Sequence, residues 1–282
     1  MKGFINIIKP EKMSSAYAVS IVKKRLKLPC GHMGTLDPMA SGVLPIGIHK
    51  SSRLFDYLLD KTKTYIAEFE FGYITDTLDV TGSVIERTKI LPTKEQITSV
   101  LDTFVGEIDQ IPPKYSAKCI DGKRGYQLAR QGVDFTLQPK KVNVLSLKML
   151  EQTGENKYLF EIKCKGGTYI RSLARDIGYA VNSLAVMTKL LRSKSGFFTL
   201  ENGVTIEQFM QTEDIESLLI PADSVIDFPI IKLTDKQAFK VGNGVYEDLG
   251  YKDGLYRVYH KGEFWGVGKS EQGLLRIKAY VK

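Results

Sequence analysis

An aspartate does bond-breaking chemistry when it is partly withdrawn from water and held in one direction, and the chain offers such a setting at Asp37. The residue lies in Gly31-His32-Met33-Gly34-Thr35-Leu36-Asp37-Pro38-Met39-Ala40-Ser41-Gly42-Val43-Leu44-Pro45-Ile46-Gly47-Ile48. Two glycines three apart open a loop, and Asp-Pro pushes the aspartate toward an extended or turn conformation. Residues 43–48 then read as a short buried strand. By itself an Asp-Pro turn bonded to its own backbone accounts for this pattern as well. A second chemical group is Arg171, in Gly166-Gly167-Thr168-Tyr169-Ile170-Arg171-Ser172-Leu173. It falls where a strand passes into a helix, so its guanidinium can project into a cleft and fork onto a carboxylate. Tyr65 opens the apolar face of an expected strand over residues 63–71, with Ala67, Phe69 and Phe71, while Glu68 and Glu70 face the other way. Periodicity alone makes it a core tyrosine. Asp79 ends a polar loop, residues 75–79, where it suits a cap. The histidines (His32, His49, His260) and cysteines (Cys30, Cys119, Cys164) are too scattered for a zinc site or a disulfide framework.

Several elements must position these groups. Residues 4–8 form an apolar strand ending at Lys9-Pro10. A helix capped by Ser14 or Ser15 runs to about residue 28, with Val19, Val22 and Leu26 inward and Lys23, Lys24, Arg25 and Lys27 mostly outward on a solvated face. Residues 55–59 suggest a short helix. Residues 92–104 form an amphipathic one, striped by Ile97, Val100, Leu101 and Phe104. Residues 142–150 and 158–164 read as strands about a turn near Gly154. The helix carrying Arg171 turns Ile170, Leu173, Ala174 and Ile177 inward. Residues 201–228 hold seven acids and no Lys or Arg, so this segment should face away from a nucleic acid. Residues 254–259, 263–268 and 274–281 are short strands between glycine turns, the pattern of a small β-barrel.

With 282 residues, 43% of them hydrophobic, the chain can bury one large domain and a small appendage. A net charge of +8 suits a polyanionic partner. The excess is concentrated: residues 114–141 carry Lys114, Lys118, Lys123, Arg124, Arg130, Lys140 and Lys141 against Asp121 and Asp134, a net of +5, with Tyr115 and Tyr126 interleaved. Such a basic, aromatic-bearing insertion suits a mobile element that closes over RNA phosphates. No apolar stretch has the length of a signal peptide or a membrane span, so a cytoplasmic, reducing setting is expected.

The whole string around Asp37 resembles the signature of the TruB family of tRNA pseudouridine synthases, G-H-x-G-T-L-D-P-x-A-x-G-x-L-P, at every specified position. The resemblance runs from Ile8-Lys9-Pro10 to near the end of the chain. It departs at Ile8, where the family has Asp or Asn, and at Lys12, where it has glycine, both of which bear on local loop geometry. The resemblance implies an α+β pseudouridine synthase fold, with a mixed, largely antiparallel central sheet, flanking helices and an RNA-gripping insertion at about 111–141. It divides the chain into a catalytic domain, 1–228, and a PUA-like RNA-binding β-barrel, 229–282. It makes Asp37 the catalytic aspartate, Arg171 its partner and Tyr65 the active-site tyrosine. His32 is placed against the target nucleotide, Tyr169 as a pocket wall, Leu190 near the uracil and Lys9 among the substrate-binding residues; Asp79 matches a family aspartate. The implied reaction is conversion of uridine 55 in the tRNA T-loop to pseudouridine by a monomer with no protein partner and no membrane. This isomerisation breaks N1–C1′ and makes C5–C1′ with no net change in atoms, so it requires no metal, redox cofactor or nucleotide.

Two rivals come from other classes: an RNA-binding or tRNA-folding protein without catalysis, and a glycosidase-like hydrolase. The second lacks an obvious second catalytic carboxylate. Replacing Lys114, Lys118, Lys123 and Arg124 by glutamine should weaken tRNA binding and flatten its salt dependence, because fewer counterions are released. Binding titrations across a salt series check this, and an unchanged slope of log affinity against log salt makes the insertion an ordinary surface loop.

Overall fold

A computed structural model describes residues 2–58, 61–116, 119–120, 122–133 and 135–282. Leu59, at the end of an expected helix, and Lys118, Asp121 and Asp134 of the insertion lie outside the described residues. The chain forms two compact units, Met1–Pro38 with Gly42–Lys61 and Ser195–Lys282, and Met39–Ser41 with Thr62–Lys194. The α+β expectation holds, with largely antiparallel pairing.

In the first unit, strand Gly3–Lys9 lies antiparallel to Ser41–Ile48, from Gly3 opposite Ile48 to Lys9 opposite Gly42. Short strand Cys30–His32 continues the pairing on Ser41–Ile48. Alternation sends side chains to two interiors. Ile5, Ile7, Leu44 and Ile46 pack with Ala18 and Val22 of helix Ser15–Leu26 and with Ile206 and Phe209 from the acidic segment. Phe4 and Val43 pack the other way, with Phe198, Val267, Ala279 and Val281. A 3-10 helix, His49–Tyr57, stands where the sequence suggested a helix six residues later. The C-terminal residues form a five-stranded sheet, Ile230–Leu233, Gly254–His260, Glu263–Glu271, Gly273–Tyr280 and Glu247–Tyr251 in that spatial order. Bulges interrupt its register at three of the four pairings, which suits a curled, PUA-like sheet.

In the second unit the strand order is Ala185–Ser195, Lys63–Phe71, Lys157–Cys164, Lys140–Gly154, Gly106–Gln110. Strand Lys63–Phe71 has the bounds that alternation indicated, and Tyr65, Ala67, Phe69 and Phe71 are buried. Phe69 stacks on Phe160 at 4.7 Å between ring centroids. Strands Ala185–Ser195 and Gly106–Gln110 lack a clean alternating pattern and were not legible in the sequence. The amphipathic helix is Lys94–Leu101, started by a reciprocal Thr93–Gln96 capping box. Within the described part of the insertion the backbone forms a hairpin, Cys119–Ile120 with Lys123–Arg124, and helix Gly125–Arg130, more order than its composition suggested. No helix among the described residues is long and apolar enough to cross a membrane.

Glu68 departs from the alternation: expected on a polar face, it is 4% exposed. Its carboxylate accepts from Thr153 Oγ1 and Thr188 Oγ1, each at 2.8 Å, and lies 3.5 Å from Lys189 Nζ. Burial pushes its pKa up, but these hydrogen bonds and the lysine together hold it below the ordinary glutamate value. A depressed folded pKa contributes stability that is present above the unfolded value, about 4.3, and is lost as pH falls through the folded one. Wild-type protein should therefore lose more melting temperature than Glu68→Gln on descending from pH 5 to pH 3, as thermal melts at stepped pH will check.

Candidate active site

The Asp37 loop is fixed from beneath. Lys9, ending strand Gly3–Lys9, is fully buried, and its ammonium donates to the carbonyls of Pro10 at 2.8 Å, Met13 at 2.7 Å and Pro38 at 3.5 Å. Ser14 caps helix Ser15–Leu26, its Oγ accepting from the Tyr17 amide. The cap therefore leaves Ser15 to a different task. Buried, it donates its hydroxyl to the Leu36 carbonyl at 2.9 Å and accepts from the Leu36 amide at 2.8 Å. The residue before Asp37 is thus held through both backbone polar groups and a buried side chain, and the residue after it through Lys9. Asp37 itself is half-buried. Gly34 and Gly42 take φ of +83° and +107°, which explains two glycines of the signature. Lys12, standing where the resemblance expects glycine, takes the left-handed backbone that glycine favours, at φ +62° and a local cost of about 1–2 kcal/mol. His32 is half-buried on strand Cys30–His32, opposite Ile46.

In the second unit, helix Ile170–Ala180 starts at Tyr169 without a side-chain cap. Arg171, in its first turn, is 6% exposed. Its Nη1 donates to the Thr77 carbonyl at 2.9 Å and lies 3.4 Å from Asp79 Oδ2; its Nη2 donates to the Tyr115 carbonyl at 3.0 Å. Asp79 is held in turn: Oδ1 accepts from Thr77 Oγ1 and from the Thr81 amide, both at 2.9 Å, and from the Thr81 hydroxyl. No helix starts at Asp79, so in place of the cap suggested by sequence its carboxylate closes a turn onto Thr81 and pairs with the buried arginine. Tyr65 pairs across the sheet with Ile162, and the strand on its other side, Ala185–Ser195, carries buried Leu190. Tyr169 is half-buried. Burial pushes the Cys164 thiol up to about 11, so no thiolate nucleophile stands here at neutral pH.

Three of the residues predicted from sequence, Lys9, His32 and Asp37, therefore fall in the first unit; Tyr65, Tyr169, Arg171 and Leu190 fall in the second. Sequence reasoning missed Ser15 as an anchor of the loop, though a Ser-Ser pair in which one hydroxyl caps leaves the other to be explained. It also missed buried Gln110, whose side-chain amide bonds the backbone amide and carbonyl of Tyr169 and for which no local signal exists.

Comparison with known proteins gives the class. The TruB family pseudouridylate synthase N-terminal domain matches residues 23–170. The tRNA pseudouridine synthase B of Alkaliphilus oremlandii is 38% identical over 279 residues, covering 95% of this chain and 93% of that protein. That of Clostridium kluyveri is 37% identical, with all of both chains covered. Among solved structures, a Cbf5–Nop10–Gar1 complex matches with a TM-score of 0.68 at 27% identity, over 98% of this chain and 79% of that one. An H/ACA ribonucleoprotein bound to a substrate RNA matches in fold, with a TM-score of 0.71 at 24% identity over 99% and 85%. The fold and the matched domain are those of a pseudouridine synthase, an isomerase. The chain belongs to the TruB family.

Asp79→Ala should leave the buried Arg171 charge short of a carboxylate and destabilise the protein by roughly 3–5 kcal/mol. Denaturant unfolding measures this, and a loss under about 1 kcal/mol, the range of an exposed ion pair, refutes the buried pairing.

Proposed function

We propose that the protein isomerises uridine to pseudouridine at position 55 in the T-loop of tRNA, with Asp37, Tyr65 and Arg171 as its catalytic residues. The observation that carries this reading is the unbroken family signature around Asp37 in a chain of the TruB family, on a loop held at the residues before and after the aspartate. The relatives' names supply tRNA as the substrate class, and the net charge of +8 agrees with a polyanionic partner.

The chemistry asks little of a cofactor. The N1–C1′ bond breaks, the uracil turns within the pocket, C5 bonds to C1′, and C5 loses a proton while N1 ends with one. The reaction calls for a nucleophile or charge stabiliser at the electron-poor C1′, a part a carboxylate can serve, and Asp37 is assigned as the reaction's carboxylate, whether it acts at C1′, at C6 or as a base on the ribose. Arginine pairing favours the ionised form of a carboxylate that burial would otherwise tend to protonate, the role assigned to Arg171. Tyr65 stacks on the base near the proton that moves. Because the target leaves its stack, a few kcal/mol must be recovered from pocket contacts, here assigned to His32, Tyr169, Leu190 and Lys9. Lys9 contributes through the Pro38 carbonyl, next to Asp37, to which its ammonium donates. Residues 1–228 carry the chemistry and 229–282 add RNA affinity.

Asp37→Asn should bind tRNA with near wild-type affinity yet form no pseudouridine, since phosphate contacts dominate affinity. Tyr65→Phe should fold and bind but convert on the order of a hundredfold more slowly. Single-turnover assays with product mapping test both. Near wild-type conversion by Asp37→Asn, or free uracil as the wild-type product, overturns the reading. A Tyr65→Phe protein that keeps its rate and melts earlier returns that ring to the core.

A further inference from the structure

The second unit contains a polar contact that the reaction scheme above does not use. Gln110, the last residue of strand Gly106–Gln110, is 1% exposed. Its side-chain amide closes on the backbone of Tyr169: Oε1 accepts from the Tyr169 amide at 2.8 Å, and Nε2 donates to the Tyr169 carbonyl at 3.1 Å. An amide side chain has one acceptor and one donor group set side by side, so it can stand in for a neighbouring strand at a residue that has none. Tyr169 is such a residue, being the uncapped start of helix Ile170–Ala180. Two more contacts follow in the same direction: Ser172 Oγ donates to the Ile111 carbonyl at 2.8 Å and Arg175 Nη2 to the same oxygen at 3.0 Å. Arg171 itself reaches the Tyr115 carbonyl. The first turns of this helix are therefore bonded to residues 110–115, the segment that leads into the basic insertion.

We propose that Gln110 is a positioning residue for the isomerisation: its amide sets the backbone at Tyr169, and through it the direction in which Arg171 leaves the helix, in register with the root of the insertion. The inference rests on the functional reading above, since it assigns Arg171 a part in catalysis. Gln110 touches no reacting atom. Its loss misplaces a group that does, and small displacements of a positioned catalytic group are costly in rate.

The test is Gln110→Met, which keeps length and volume and removes both hydrogen bonds, beside Gln110→Glu, which keeps the acceptor and removes the donor. Amide hydrogen exchange, single-turnover conversion at saturating tRNA, tRNA affinity and thermal melting are measured on the full-length proteins. The expected result is faster exchange at the Tyr169 amide in Gln110→Met with the Leu173 amide still protected, tRNA affinity within about twofold of wild type, and a conversion rate lowered tenfold or more. Gln110→Glu should fall between Gln110→Met and wild type, and it carries the test should the methionine variant not fold. Variants that melt earlier but convert at the wild-type rate per folded molecule make Gln110 a stability residue and overturn the proposal. Unchanged Tyr169 exchange does the same. A wild-type protein that forms no pseudouridine overturns instead the functional reading on which this one stands.

Discussion

A guanidinium stays charged at any pH a folded protein survives, so burying Arg171 obliges the protein to surround it with oxygen. Those oxygens come from Thr77, Asp79 and Tyr115, residues of two segments far from the arginine in sequence. Each segment is thereby fixed against the start of one helix. The loop at 77–79 is tightened further by the threonine hydroxyls on Asp79, and the approach to the insertion by the carbonyl of Ile111. Removing the charge or its oxygens loosens these attachments together, because an unsatisfied ion in an apolar interior is worth several kcal/mol of destabilisation.

The first unit solves the equivalent problem with backbone carbonyls. Lys9 is as deeply buried as any core leucine, and its ammonium donates hydrogen bonds to three carbonyls. Ser15 satisfies Leu36 from the other side. A loop held through its own peptide groups keeps its course whatever occupies the space above it. That is the property a half-buried aspartate needs if its direction, rather than its average position, is to matter. The left-handed lysine at position 12 fits this picture: a glycine would reach that conformation without strain, and the surrounding hydrogen bonds hold a lysine there instead.

Membership of the TruB family ties the two descriptions to one class of reaction, an isomerisation whose atoms balance without any added reagent. Within each unit a buried charge and its oxygens hold side chains and loops in one arrangement before anything binds, as at Arg171 in the second unit and beside Asp37 in the first.

Local pattern was enough for much of this. Alternation delimited strand Lys63–Phe71 to the residue, the Ser-Ser pair marked the start of helix Ser15–Leu26, and the glycines, Asp-Pro and apolar run located the Asp37 loop, because all of these depend on backbone preferences and on neighbours a few residues away. Strands Ala185–Ser195 and Gly106–Gln110 escaped notice because the side chains that bury them come from distant segments. The same reason hides the hydrogen-bond partners. Gln110 and Tyr169 are 59 residues apart, and Arg171 and Thr77 are 94 apart. No periodicity or spacing along the chain encodes a bond over such separations; Glu68 and Gln110 read as ordinary polar positions, and the partners of Ser15 and Lys9 were hidden, until folding brought them together. The amino-acid sequence thus determined the family, many of the elements and the place of the Asp37 loop. The tertiary structure alone decided which buried polar groups hold that loop and the start of helix Ile170–Ala180 in place, since satisfying a buried donor or acceptor is a property of the folded neighbourhood and not of the residue.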